Sequence, residues 1–251
     1  GDIVNPLLDV TFDGVRIMNG DIVSGKPQIV ITLSDENEWL QLDDSSDFKV
    51  ILRHPGFPNG ETLLSTSNPI VTNFQFLPAD ASNLVVENKA QLIVELDLEL
   101  DGTYTLFVSA TDKSGNNSGD LDYSVDFEVI NTPMISNVLN YPNPFTTQTQ
   151  FVFTLTGRDI PEYMKLQIMT ISGKIVREVG MDELGPVHIG TNRTEFAWDG
   201  TDQFGDRLAN GVYLYRLIAK TDKDGDEELK LYNTKASYMF RNGFGKMYLM
   251  R

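Results

Sequence analysis

In LDYSVDFEVI, residues 121 to 130, Tyr123, Val125, Phe127 and Val129 alternate with Ser124, Asp126 and Glu128. This is the period-two arrangement of a strand with one buried face. QLIVELDLEL, residues 91 to 100, repeats it, with Leu92, Val94, Leu96, Leu98 and Leu100 on one side and Glu95, Asp97 and Glu99 on the other. Neither run has apolar positions at helical spacing. The same reading predicts strands in VTFDGVRI, PQIVITL, DFKVILR, NFQFLP and TYTLFVSAT. Gly, Asn, Pro and Asp turns separate them.

The second half predicts strands in TQFVFTLTG, MKLQIMTISG, KIVREV, TEFAWDG, GVYLYRLIAK, EELKLYNT and KMYLM. ISGK and TDKDGDE read as hairpin turns, because Ser-Gly and Asp-Gly supply the positive backbone angles of tight turns. Between the halves, NTPMISNVLNYPNPF holds three prolines and four asparagines. That composition disfavours helix and ladder pairing alike and predicts an interdomain joint near Asn131 to Pro133. No internal repeat of fixed period is visible. The expected fold is all-β, two tandem immunoglobulin-like β-sandwich domains, residues 1–131 and 132–251.

Charge supports the division. Of the 36 acids and 20 bases, residues 1–131 carry 22 and 6, a net charge of −16, and residues 132–251 carry 14 of each. Neither half has the basic excess that phosphate backbones demand, so nucleic acid is not an expected partner. No run of eighteen apolar residues predicts a membrane span. GDIVNPLLDV does not read as an export signal, and the chain begins like a piece of something longer.

Without cysteine there is no disulfide, thiolate metal site or cysteine nucleophile in these 251 residues. The two histidines, His54 and His188, lie far apart in sequence and suggest neither a triad nor a zinc site. Carboxylates are abundant, but nothing pairs two of them in an apolar setting, so no catalytic residue and no cofactor are expected.

WDGTDQFGDRLANG tests that conclusion, since Asp199, Asp202 and Asp206 resemble a set of calcium ligands. The spacing is not that of an EF-hand, and calcium needs six to eight oxygens. The simpler reading makes Gly200, Gly205 and Gly211 turn residues and the aspartates acceptors for free backbone amides. TDKDGDEE likewise reads as a charged hairpin tip, and LDDSSD as solvated charge. Trp39, Trp198, Tyr213 and Tyr215 raise the idea of a sugar platform, but Trp198 falls in phase with Phe196 and is expected in the core.

The ordered series YPNPF, FVFTL, LQIMTISGKIVREV and FAWDGTDQFGDRLANGVYLYRL, closing on FGKMYLMR, resembles the immunoglobulin-like domain of flagellar hook-capping proteins. That domain recurs at the C-termini of proteins exported by the type IX secretion system of the Bacteroidetes. The resemblance spans about residues 140 to 251, with extra chain in VGMDELGPVHIGTNRTE and LYNTKASYMFRNG. The first half, from LLDVTFDGVRIMNG to DGTYTLFVSATDKSGN, is similar to the region preceding that domain in the system's gingipain-like sortase, a cysteine peptidase.

The resemblance implies a noncatalytic C-terminal region of a surface peptidase, with its catalytic domain upstream. Outer-membrane type IX components are the implied partners and the cell surface the implied location. The sorting region of a type IX cargo protein, such as a glycan-binding module or adhesin, is the alternative. The implied partner-binding residues are Lys246, Met247, Tyr248, Leu249, Met250 and Arg251. Met247 and Leu249 are expected to pack inward as part of the last strand, with Lys246, Tyr248 and Arg251 outside, and the strand end is expected to offer its backbone edge to a partner strand.

Overall fold

The computed structural model describes residues 6–35, 43–80, 88–110, 123–232, 240–241 and 243–251. They form two compact units, Gly1–Asn131 and Thr132–Arg251.

The first unit has strands β1 (Leu7–Phe12), β2 (Asp21–Val23), β3 (Gln28–Asp35), β4 (Phe48–His54), β5 (Phe57–Thr62), β6 (Val71–Leu77), β7 (Asn88–Leu96), β8 (Gly102–Ala110) and β9 (Tyr123–Val129). They make two sheets, ordered β1-β3-β7-β6 and β2-β9-β8-β4-β5. The order is that of an immunoglobulin sandwich whose first strand is split, β1 lying in one sheet and β2 running parallel to β9 in the other. Phe12 of β1 meets Phe127 of β9 at 5.0 Å between ring centroids, and Phe48 of β4 meets Phe76 of β6 at 6.1 Å, so the two sheets close on one core.

The predicted alternation holds through Leu98, where Leu92, Val94, Leu96 and Leu98 are all buried. Leu100 departs from it. β7 ends at Leu96, the phase no longer applies, and Leu100 is half exposed, its carbonyl accepting a 2.8 Å hydrogen bond from the Tyr104 hydroxyl. Strands β2 and β5 lie outside the predicted set, being short or broken by Pro58 and Gly60.

The second unit has β10 (Met134–Tyr141), β11 (Thr149–Thr156), β12 (Tyr163–Thr170), β13 (Ile175–Gly180), a one-turn helix α1 (Met181–Leu184), β14 (Gly190–Trp198), β15 (Gly211–Lys220), β16 (Lys230–Tyr232), β17 (Phe240–Arg241) and β18 (Phe244–Leu249). Its sheets are ordered β14-β11-β10-β16 and β13-β12-β15-β18-β17. Phe151 and Tyr215 bridge them edge to face at 5.1 Å.

Two expectations fail here. The proline- and asparagine-rich stretch is not a joint throughout, since Met134–Tyr141 is an inner strand flanked by β11 and β16. Its prolines, 133, 142 and 144, all lie just outside the ladder, and Asn137 takes a positive φ of 52° where the register with β11 shifts between Ser136 and Leu139. TDKDGDE, in turn, does not close a hairpin. One backbone bond, from Leu229 N–H to Ala219 C=O, folds the chain back, and β16 then joins the opposite sheet, parallel to β10. The ISGK turn does close the β12–β13 hairpin, with Gly173 at φ 84°.

A further regularity joins the units. Tyr104 and Tyr213 are each the third residue of a strand that opens on a positive-φ glycine, Gly102 or Gly211. Each hydroxyl donates to the carbonyl four residues back, Leu100 at 2.8 Å and Ala209 at 2.7 Å. This is the tyrosine corner of immunoglobulin-like folds, built once in each unit.

Candidate functional site

The residues singled out in the sequence as partner-binding form β18 and the two positions after it. Met247 and Leu249 are buried completely, under Tyr213 and beside Gly211 of β15. Lys246, Met250 and Arg251 are exposed, and Tyr248 is half-buried. Gly245 belongs to the same strand for a steric reason, since a Cβ there would fall 1.9 Å from the Tyr215 ring.

The backbone edge of this strand, expected to be free, is occupied. One edge of β18 pairs with β15 from Gly245 to Leu249. On the other, β17 takes the first residues, with Phe240 opposite Gly245. Residues 143–145 of YPNPF take the rest. Asn143 acts through its side-chain amide as a peptide group would, donating to the Lys246 carbonyl and accepting from the Tyr248 N–H, both at 3.0 Å. Phe145 N–H then donates to the Tyr248 carbonyl at 3.0 Å, and Met250 N–H donates to the Phe145 carbonyl at 2.9 Å. Phe145 itself is buried against Trp198, 5.6 Å between ring centroids. The parallel approach of Phe145 to Leu249 matches that of β2 to β9 in the first unit, where the split first strand also crosses to the last.

WDGTDQFGDRLANG grips the residue that follows. Asn210 and Arg251 exchange two hydrogen bonds of 3.0 Å, amide side chain to backbone in both directions. The Arg251 guanidinium donates to the carbonyls of Asp199 and Leu208. Gly200 makes room for it, because a Cβ there would lie 2.7 Å from both Arg251 Nη2 and Leu249 Cδ2, at a φ of 77°. The aspartates act as turn acceptors. Asp199 Oδ1 takes the Thr201 N–H and hydroxyl, and Asp202 Oδ1 takes the N–H groups of Phe204 and Asp206. Burial works to raise the Asp199 pKa, but the Thr201 hydroxyl, the neighbouring amides and Arg251 outweigh it and hold the carboxyl below its ordinary value.

The aromatics weighed as a sugar platform are interior. Trp198, Tyr213 and Tyr215 are buried, Trp198 and Tyr213 meeting edge to face at 5.2 Å and the Trp198 indole donating to the Thr201 carbonyl at 2.8 Å. Burial drives the Tyr215 hydroxyl pKa strongly upward. Trp39 lies outside the described residues. Phe196 is not in phase with Trp198, because the β11–β14 register shifts between Gln150 and Val152 and leaves Phe196 half-buried beneath the Arg177 guanidinium.

His54 belongs to the first unit and His188 to the second. His54 stacks on Tyr104 at 4.3 Å, its Nδ1 accepting from Gly56 N–H at 2.9 Å and its Nε2 facing the Asp101 carbonyl at 3.1 Å. The ring is thereby fixed as the Nε2–H tautomer and serves the strand end. In the LDDSSD stretch, Asp44 Oδ1 accepts from Ser46 N–H at 2.8 Å and caps a 3-10 turn, Ser45–Asp47. Among the described residues no three His, Asp or Glu side chains gather as a metal site, and no helix is long and apolar enough to cross a membrane.

No family model and no curated protein matches the chain. Among solved structures it is similar to dimeric latent PorU from Porphyromonas gingivalis, at 16% identity over 98% of this chain and 20% of that one, with a TM-score of 0.34. The chain therefore spans about one fifth of the PorU chain. It is also similar to the fibronectin(III)-like modules of Clostridium thermocellum CbhA, at 13% identity, 93% and 99% coverage and a TM-score of 0.26. BcpA, the major pilin subunit of Bacillus cereus, is similar at 12% identity, 98% and 67% coverage and a TM-score of 0.25.

Proposed function

We propose that this chain is the noncatalytic C-terminal region of a cell-surface gingipain-like cysteine peptidase of the sortase kind. It directs type IX secretion and outer-membrane attachment by docking on outer-membrane components of that system. Residues Lys246 to Arg251 are the part that is read. One observation supports this reading above the others. Three of the motifs that carry the resemblance, YPNPF and, about fifty residues later, WDG and NGVY, all touch residues 246–251. A sandwich needs its strands covered, but it does not need separate motifs to converge on one strand end.

The test is export of the full-length parent. Removing KMYLMR should leave the protein in the periplasm, with the surface fraction measured by protease accessibility on intact cells. Because the deletion also strips Met247 and Leu249 from the core, a thermal melt of the 251-residue chain must accompany it. Normal surface amounts of the truncated parent would defeat the proposal.

A further inference from the structure

The occupied edge of β18 changes how a partner can recognise it. Added-strand binding needs a row of unsatisfied N–H and C=O groups, and here Asn143 and Phe145 already satisfy those of Lys246, Tyr248 and Met250. Lifting Phe145 away would also expose a fully buried aromatic ring that packs on Trp198. Recognition must then use side chains.

The outer face of the same sheet carries a set suited to that. Tyr213, Tyr215, Met247 and Leu249 point inward, so the alternate positions point outward. Register puts Ile175, Met169, Leu214 and Lys246 in one row across four strands, and Val212 with Tyr248 in the next. Ile171, in the β12–β13 turn, is largely exposed beside that second row. The patch is apolar at its centre and cationic at its margin. Lys246, at that margin, lies over the Tyr248 ring at 5.3 Å and forms no ion pair among the described residues. Glu178 and Glu228, which pair with outward positions of this sheet, are committed to Lys165 and Arg216.

We infer that this outer face, and not the strand edge, is the docking surface, and that it receives a protein surface that is apolar at its centre and acidic at its rim. The inference rests on the proposed reading of residues 246–251. A protein fits better than a membrane because Val212, Leu214 and Tyr248 are half-buried and Met169 is buried among its neighbours, so the centre of the patch does not project. Membrane-inserting groups enter several ångströms into the lipid, whereas patches with aromatic and methionine centres are usual between proteins.

The experiment places a cleavable inner-membrane export signal and then a fluorescent reporter ahead of the whole 251-residue chain in a type IX-competent bacterium and measures the surface fraction. Lys246→Glu should cut display about tenfold through like-charge repulsion, and Leu214→Asp should do the same. Lys246→Arg should keep it. Each variant is melted to establish that it folds, and Lys246, being exposed, tests the face even where Leu214→Asp unfolds. If the wild-type chain is retained in the periplasm, the type IX reading fails and this inference with it. If the wild type is displayed and the folded Lys246→Glu variant is displayed equally, the face is wrong while the reading stands. Cosedimentation of the chain with phosphatidylglycerol vesicles, lost in Lys246→Glu, would overturn the protein partner in favour of anionic lipid.

Discussion

Gly245 has no Cβ because the Tyr215 ring stands where one would be. Neither can yield, since the ring is buried against Phe151. Gly245→Ala should therefore lower the stability of the second unit by about 3 kcal/mol, the upper end of the range for overpacked cores, read as a drop in Tm of its transition in the full chain. Asp199 gives a pH-dependent signature. Its carboxyl ionises below the ordinary value of 3.8 when folded. The stability it contributes is thus complete above that ordinary value and is lost as pH falls through the lower folded-state value. The stability gap between wild type and Asp199→Ala should be constant near neutral pH and should narrow in acid below 3.8, measured by urea melts from pH 7 down to about pH 2.5. The turn-forming role of this aspartate was legible, because Asp-Gly and Asn-Gly spacing has a local meaning. Its carbonyl's bond to Arg251 was not, because it joins residues 52 positions apart.

Among strands, alternation identified those with a polar face, and the predicted runs located β3, β4, β6, β7, β8, β9, β11, β12, β13, β14, β15 and β18. It missed β10, where Asn137 and Asn140 interrupt the period. Asn140 is buried there, donating to Thr149 Oγ1 at 3.0 Å and to the Pro142 carbonyl at 3.3 Å, so a residue that reads as loop serves as ladder. The inward and outward sides of β18 were correct, but the state of its edge was hidden. Asn143 covers that edge with its side chain, and no periodicity encodes such a contact. Asn143→Ala should cost about 1–2 kcal/mol for two lost hydrogen bonds. It should also raise amide exchange at Tyr248 relative to Met247, whose neighbour β15 is unchanged. Equal protection of both amides in the variant would mean that the edge is held by other groups.

The two units fall on opposite sides of the charge boundary. The first carries the entire −16, and the second is neutral by formal count. Each has its own tyrosine corner and interior. The segments 1–131 and 132–251 should each melt cooperatively alone, the first gaining stability with added salt as its self-repulsion is screened. A half that lacks a cooperative transition would show that the two depend on a common interior.

The contact of residues 143–145 with β18 also sets an order of events. Residue 145 is made long before residue 249, so on a growing chain Phe145 has no cover and the β15 edge no neighbour until β18 has been laid down. Pairings across about a hundred residues are slow to form. Until that pairing forms, the Phe145 ring and the β15 edge stay uncovered, and the second sandwich closes last where the earliest of its loops meets its final strand.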